Sequence, residues 1–191
     1  MGRWEPNARG RLAQAALTLY VEQGFEKTTV AEITARAGLT ERTFFRHFAD
    51  KREVLFYGSD MALGLLAGAI ADAPASAAPI NAVAAALQAF SAVVQENPER
   101  ARLRDAVVSA NPELRERELI KLAAWASAMA GALRDRGIPE PVASLAAETG
   151  IAAFKVAFTR WISEQGEPDL PRIIRESMED LKSVLTDRAP V

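Results

Sequence analysis

An all-α fold is what this 191-residue sequence predicts, and three observations predict it. Apolar residues recur at three- and four-residue spacing nearly throughout. Alternating runs of β-branched residues are scarce. Glycine, proline and capping residues punctuate the chain at helix-length intervals. The first helix runs from about Asn7 to Gln23, with Leu12, Ala16 and Leu19 on one stripe and Gly24 suited to a left-handed cap. Thr29 and Glu32 write a capping box for the second, whose inward face is Val30, Ile33 and Ala37 and which ends at Gly38. Thr40 caps a third, running to about Phe48, and Asp50 with Glu53 writes a second capping box that opens a fourth, through Leu55, Leu63 and Leu66 to Ala71.

The stretch Asp72–Pro79, DAPASAAP, is a joint. Helices resume from Ile80 to Glu96, are interrupted at Asn97-Pro98 and Asn111-Pro112, and continue from Glu113 to Arg136. Gly137-Ile138-Pro139 breaks the chain before a helix from Pro141 to Gln165. The last begins at Asp169 with Pro171 in its first turn and extends to Arg188. The expected division is an amino-terminal module, residues 1–50, and a larger helical part, 51–191.

Composition excludes several chemistries. Without cysteine there are no disulfides, thiolate metal sites or cysteine nucleophiles, and a single histidine, His47, cannot build the usual multi-histidine metal site. No nucleophile elbow, phosphate-cradling glycine loop or convergent acid/base set is evident, so catalytic residues, cofactors and metals are all expected to be none. No signal-peptide segment opens the chain and no run approaches 18 uncharged apolar residues; a cytoplasmic protein without a membrane partner is expected. Net charge is −2, but residues 1–56 hold nine Lys/Arg against seven Asp/Glu, whereas the remainder holds fourteen against eighteen.

The third helix concentrates the informative residues. At 100° per residue Phe44 and Phe48 share a face with Leu39 and pack inward, while Arg42 and Arg46 lie roughly opposite, flanked by Glu41 and Phe45. Two readings stay open: a solvated outer face, or a helix able to enter a major groove, which is wide enough for one helix and presents guanine O6 and N7 to arginine. The spacing of a short helix, a glycine turn at Gly38 and a capped following helix is that of a helix-turn-helix. Thr28, Thr29 and the first-turn amides of the second helix offer uncharged phosphate donors, and Lys51 a cation for a backbone phosphate.

The stretch FEKTTVAEITARAGLTERTFFRHFADKREVLF, with TTV-x-x-I, AGLT and K-x-x-x-L in register, resembles the DNA-binding signature of the TetR family of bacterial transcriptional regulators over about Ala8–Phe56. The resemblance implies a homodimer on a double-stranded DNA operator and a variable carboxy-terminal domain that binds a small-molecule effector. Carried over by position, Glu41, Arg42, Thr43 and Arg46 are base-contact candidates, and Thr28, Thr29, Thr40, Phe45, His47 and Lys51 backbone-contact candidates. Phe45 departs from the family's usual tyrosine, so one phosphate hydrogen bond is lost while the ring can still touch a sugar or a thymine methyl. His47 can equally cap backbone carbonyls, and Arg3, Trp4, Arg9 and Arg11 can form a basic arm.

In the larger part, Val142, Leu145, Ile151, Phe154 and Phe158, then Leu170, Ile174, Leu181 and Leu185, form helical stripes, and Gly150, Ala153 and Ala157 permit a close neighbour. Core burial accounts for these at least as well as dimerisation does; the resemblance favours pairing of the last two helices into a four-helix bundle. Phe90, Trp125, Met129, Phe154 and Phe158 are candidate ligand-pocket residues, with ordinary core as the alternative. Arg100–Leu119 more weakly resembles regulators with acyl-coenzyme-A-type effector domains. Its arginines can face a phosphate or pair with Glu99, Asp105, Glu113, Glu116 and Glu118, and pairing is the preferred reading. A repressor released by a small apolar or amphipathic effector is therefore expected, against a helical carrier or enzyme with a vestigial DNA-binding module, or an architectural DNA binder without an effector.

Overall fold

The computed structural model describes residues 7–164, 166 and 168–185. Among these the chain is helical and carries no strand: α1 Ala8–Gln23, α2 Val30–Ala37, α3 Glu41–His47, α4 Ser59–Ala71, α5 Pro79–Gln95, α6 Pro98–Ala110, α7 Pro112–Asp135, α8 Glu140–Ser163 and α9 Leu170–Leu185, with one 3-10 turn at Glu53–Phe56. The expected helix ends at Gln165 and Arg188, and Arg3 and Trp4 of the basic arm, lie outside the described residues.

Packing divides the chain into two compact units, one reaching to Ser59 and including Glu99–Glu118, the other Asp60–Pro98 with the chain from Leu119 onward. This line differs from the division at residue 50 read from the sequence. In the first unit α1, α2 and α3 close over Leu12, Ala16, Ile33 and Phe44, none more than 0 % exposed, and Val107, Val108 and Leu114 from α6 and α7 complete the same core. Gly24 (φ 90°) stops α1, and Gly38 (φ 65°) turns the chain between α2 and α3. A non-glycine residue in that left-handed region costs about 1–2 kcal/mol, and a Cβ at Gly38 would also press on the Arg11 guanidinium at 3.1 Å.

The capping box of α2 forms as expected, Thr29 accepting from the Glu32 amide while the Glu32 carboxylate accepts from the Thr29 amide. The second box does not. Asp50 Oδ1 accepts from the amides of Arg52 and Glu53 at 2.8 and 3.3 Å, but Glu53 turns away to receive Arg117 Nε and Nη2 at 2.7 and 3.0 Å. The result is a single 3-10 turn, an interruption at Gly58 (φ 95°), and an α4 that starts at Ser59 instead of beside Asp50.

In the second unit α5, α8 and α9 pack together. A Cβ at Gly150 would lie 2.3 Å from Val83 Cγ1, so this glycine lets α8 approach α5 within the subunit. Ile151, Phe154, Leu170 and Ile174 are buried in that core, as are Ala153 and Ala157, whereas Val142 and Leu145 are exposed. Gln95 ties the turn before α9 to α5, donating to the Pro168 carbonyl (3.2 Å) and accepting from the Leu170 amide (2.9 Å). Asp169 Oδ1 caps α9 through the Arg172 amide at 3.2 Å. The stretch Glu53–Ala71 and α8 are long and apolar enough, by length and composition, to cross a membrane. In α8 Ile151, Phe154 and Trp161 are buried in the unit's core while Glu148, Lys155 and Arg160 are exposed.

Candidate nucleic-acid interface

The interface is built on α3. Phe44 is fully buried and Phe48 nearly so, their centroids 5.5 Å apart, and this inward face fixes the rotation of the helix about its axis. Thr40 caps the start, accepting from the Thr43 amide at 3.2 Å, and its hydroxyl lies 3.0 Å from that of Thr43. Glu41, Arg42 and Arg46 are exposed, Thr43 half-buried, and Phe45 is 57 % exposed with its edge against Phe44. Among the described residues no hydrogen bond or ion pair engages Arg42 or Arg46. Other arginines of this unit are committed: Arg36 pairs with Glu22 and Arg52 with Asp50 and Glu113. Two guanidinium groups one helical turn apart, unpaired and aimed outward from a locked helix, can donate to phosphates or base edges without breaking an existing contact.

Three expected backbone contacts read differently in three dimensions. Thr28 is 1 % exposed and its hydroxyl donates to the Gly24 carbonyl at 2.8 Å, so it cannot reach a phosphate. Lys51 is corrected too: its ammonium donates to the carbonyls of Phe25, Glu26 and Thr28 at 2.9, 3.1 and 3.0 Å and sits 4.5 Å from the Phe25 ring centroid. All three of its donors are used, and the cation binds the loop before α2. Thr29 is exposed, but its hydroxyl donates to Glu32 at 2.8 Å, and the same carboxylate occupies the Thr29 amide. Those two contacts hold the Glu32 carboxyl below the usual carboxylate range.

His47 is half-buried and, among the described residues, caps no carbonyl. Burial holds its pKa below the ordinary value, and the neighbouring charges of Arg46 and Arg9 push the same way, so the free ring favours its neutral form. Arg9, expected only in a loose arm, is in α1 with its guanidinium 5.5 Å from the Phe48 centroid and 5.3 Å from that of Tyr57. Lys27, exposed two residues before Thr29, carries the uncommitted cation that Lys51 does not. No sequence signal marks Arg9, because its ring partners are distant along the chain; Lys27 stands in the quoted motif, where Lys51 drew the attention.

Arg100, Arg104 and Arg117 of the segment Arg100–Leu119 make intramolecular contacts. Arg104 donates to the Leu55 carbonyl (2.8 Å) and pairs with Glu118, Arg117 pairs with Glu53, and both guanidinium groups lie 5.0 Å from the Phe56 ring centroid. In the second unit four of the five candidate pocket residues, Phe90, Trp125, Phe154 and Phe158, form one ring cluster. Phe90 meets Trp125 edge-on at 4.6 Å and Phe154 at 5.9 Å, Phe154 stacks on Phe158 at 5.7 Å, and Met129 is fully buried.

Residues 12–57 match the family model described as bacterial regulatory proteins, tetR family, and residues 77–186 match the one described as MftR C-terminal domain. The chain belongs to the TetR family. It is similar to TcmR of Streptomyces glaucescens, an HTH-type transcriptional regulator, at 35 % identity over 46 % of this chain and 39 % of TcmR. It is also similar to the MftR protein of Mycobacterium tuberculosis, at 27 % identity over 68 % of this chain and 66 % of that one. The chain thus spans well under half of TcmR and just under two thirds of MftR. Among solved structures, Thermus thermophilus FadR, a TetR-family repressor in complex with lauroyl-CoA, shares the fold with a TM-score of 0.59 at 21 % identity, covering 96 % of this chain and 95 % of that one.

Proposed function

We infer that this TetR-family chain is a cytoplasmic homodimeric repressor, with DNA binding in residues 1–50 and effector binding and dimerisation in 51–191, acting without chemistry on its ligand. The observation that carries the DNA reading is the pair Arg42 and Arg46, exposed and unpartnered on a helix locked by Phe44 and Phe48. Glu41, Arg42, Thr43 and Arg46 meet base edges, and Thr40, Phe45, His47 and Lys27 lie along the backbone. A two-fold dimer presents two α3 helices in inverted orientation and so requires a palindromic site.

Dimerisation through α8 and α9 is supported by an exposed heptad-spaced stripe on α8: Val142 (47 % exposed), Leu145 (68 %) and Val156 (65 %), with Thr149 and Ala152 between them. A small apolar or amphipathic effector in the second unit is supported by the aromatic cluster and by the lauroyl-CoA complex of a protein with this fold. Binding there favours a spacing of the two α3 helices that no longer fits successive grooves.

The test is selection of bound fragments from the native genome, followed by affinity measurements on the recovered site. A palindrome is expected, and Arg42→Ala or Arg46→Ala should each cost about 1–3 kcal/mol on it if that residue reads a base. Unchanged affinity for both variants would remove the assignment of α3.

A further inference from the structure

Trp125 is 3 % exposed, and its indole Nε1–H is buried without a hydrogen-bond partner among the described residues. A stranded donor of this kind costs about 1–3 kcal/mol, and a phenylalanine would occupy nearly the same apolar surroundings without that cost. The other described tryptophan shows the usual solution: Trp161 Nε1 donates to the Pro168 carbonyl at 2.9 Å. What surrounds Trp125 is apolar and aromatic, with Phe90 at 4.6 Å and Phe154 at 5.8 Å, and the cluster reaches the surface through the half-buried Phe90 and Phe158. One helical turn earlier on the same buried face of α7, Lys121 sets its ammonium 4.3 Å from the Trp125 ring centroid and is only 9 % exposed. Rings from α5, α7 and α8 thus surround one unsatisfied donor, with a buried cation at its side.

We propose that Trp125 Nε1 is the polar recognition point of the effector site, donating to an acceptor oxygen, a carbonyl or carboxylate, on a ligand whose apolar body lies against Phe90, Phe154 and Phe158. This rests on the effector-responsive reading above. It adds that a purely hydrocarbon ligand is discriminated against, because only an oxygen acceptor relieves the stranded N–H. A site built to hydrogen-bond its ligand rejects the analogue lacking the group far more strongly than an apolar pocket rejects a missing methylene.

Indole-nitrogen NMR on the full-length chain tests this directly, since the Nε1–H signal lost in Trp125→Phe identifies residue 125 and Trp161 serves as an internal reference. Titration uses three twelve-carbon probes: dodecanoate, S-methyl thiododecanoate and 1-bromododecane, the last lacking an oxygen acceptor. At least one of the first two should bind and move the Trp125 Nε1–H signal downfield while that of Trp161 stays, and 1-bromododecane should leave the Trp125 signal in place. For the probe that binds, Trp125→Phe should weaken affinity about tenfold. If neither oxygen-bearing probe moves the Trp125 signal, or if one binds wild type and Trp125→Phe equally, the proposal is overturned. The wild-type titration decides the matter even where Trp125→Phe fails to fold. Failure of the regulator reading would appear separately, as the absence of any selected operator.

Discussion

The backbone-phosphate role that a linear reading gives Lys51 passes, in our proposal, to Lys27. The ammonium of Lys51 donates to three carbonyls of the loop before α2, so Lys51→Ala removes fold stability, about 1.5–3 kcal/mol for lost charged hydrogen bonds. Thermal unfolding should show that loss, while the salt dependence of operator binding stays as in wild type. Lys27→Ala should do the reverse, leaving the melting temperature in place and reducing the slope of log affinity against log salt by about one. His47 adds a pH dependence with a definite sign. In the free protein burial and two nearby arginines hold its pKa low. A phosphate beside it raises that pKa, the complex binds more protons than the free partners, and operator affinity rises as pH falls from about 8 to about 6. His47→Gln should flatten the profile; a wild-type profile already flat would remove His47 from the interface.

Elements were legible where their determinants are local. The Thr29–Glu32 box, the Thr40 cap, the Gly24 and Gly38 stops and the Asp169 cap each involve residues within a few positions, and all form. The fourth helix was misread because the residue that decides it, Arg117, lies 64 positions from Glu53 and draws that carboxylate out of its box. The other end of α4 is set by an equally distant partner. Arg136 donates to the carbonyls of Ile70, Ala73 and Pro74 at 2.8, 2.5 and 2.7 Å, placing a cation on the negative end of the helix. Nothing in the local sequence announces that plug. Arg136→Ala leaves those carbonyls without their donor and should lower the unfolding free energy by about 1–3 kcal/mol, read by chemical denaturation. The stripes of α8 show the same limit: sequence periodicity cannot tell Phe154, buried in its own subunit, from Leu145, exposed, because both satisfy helical spacing.

For the whole molecule, the exposed α8 stripe makes a prediction about assembly. Leu145→Glu places a charge in the centre of the proposed dimer surface, where burying it unpaired is strongly unfavourable. Light scattering on the purified variant should give the mass of one chain, and its affinity for a full palindrome should fall towards that for a half-site. A variant that stays dimeric would move the interface elsewhere.

The joint membership of α1–α3 and Glu99–Glu118 in one packed body bears on how such regulators can be cut and recombined. Severing the chain after Ser59 would take Val107, Val108 and Leu114 out of the core and strip Glu53 of Arg117, leaving a fragment with an open flank. A hybrid that transplants operator specificity onto another sensor must therefore carry two separated segments, and a transplant of the leading one alone should arrive partly unfolded.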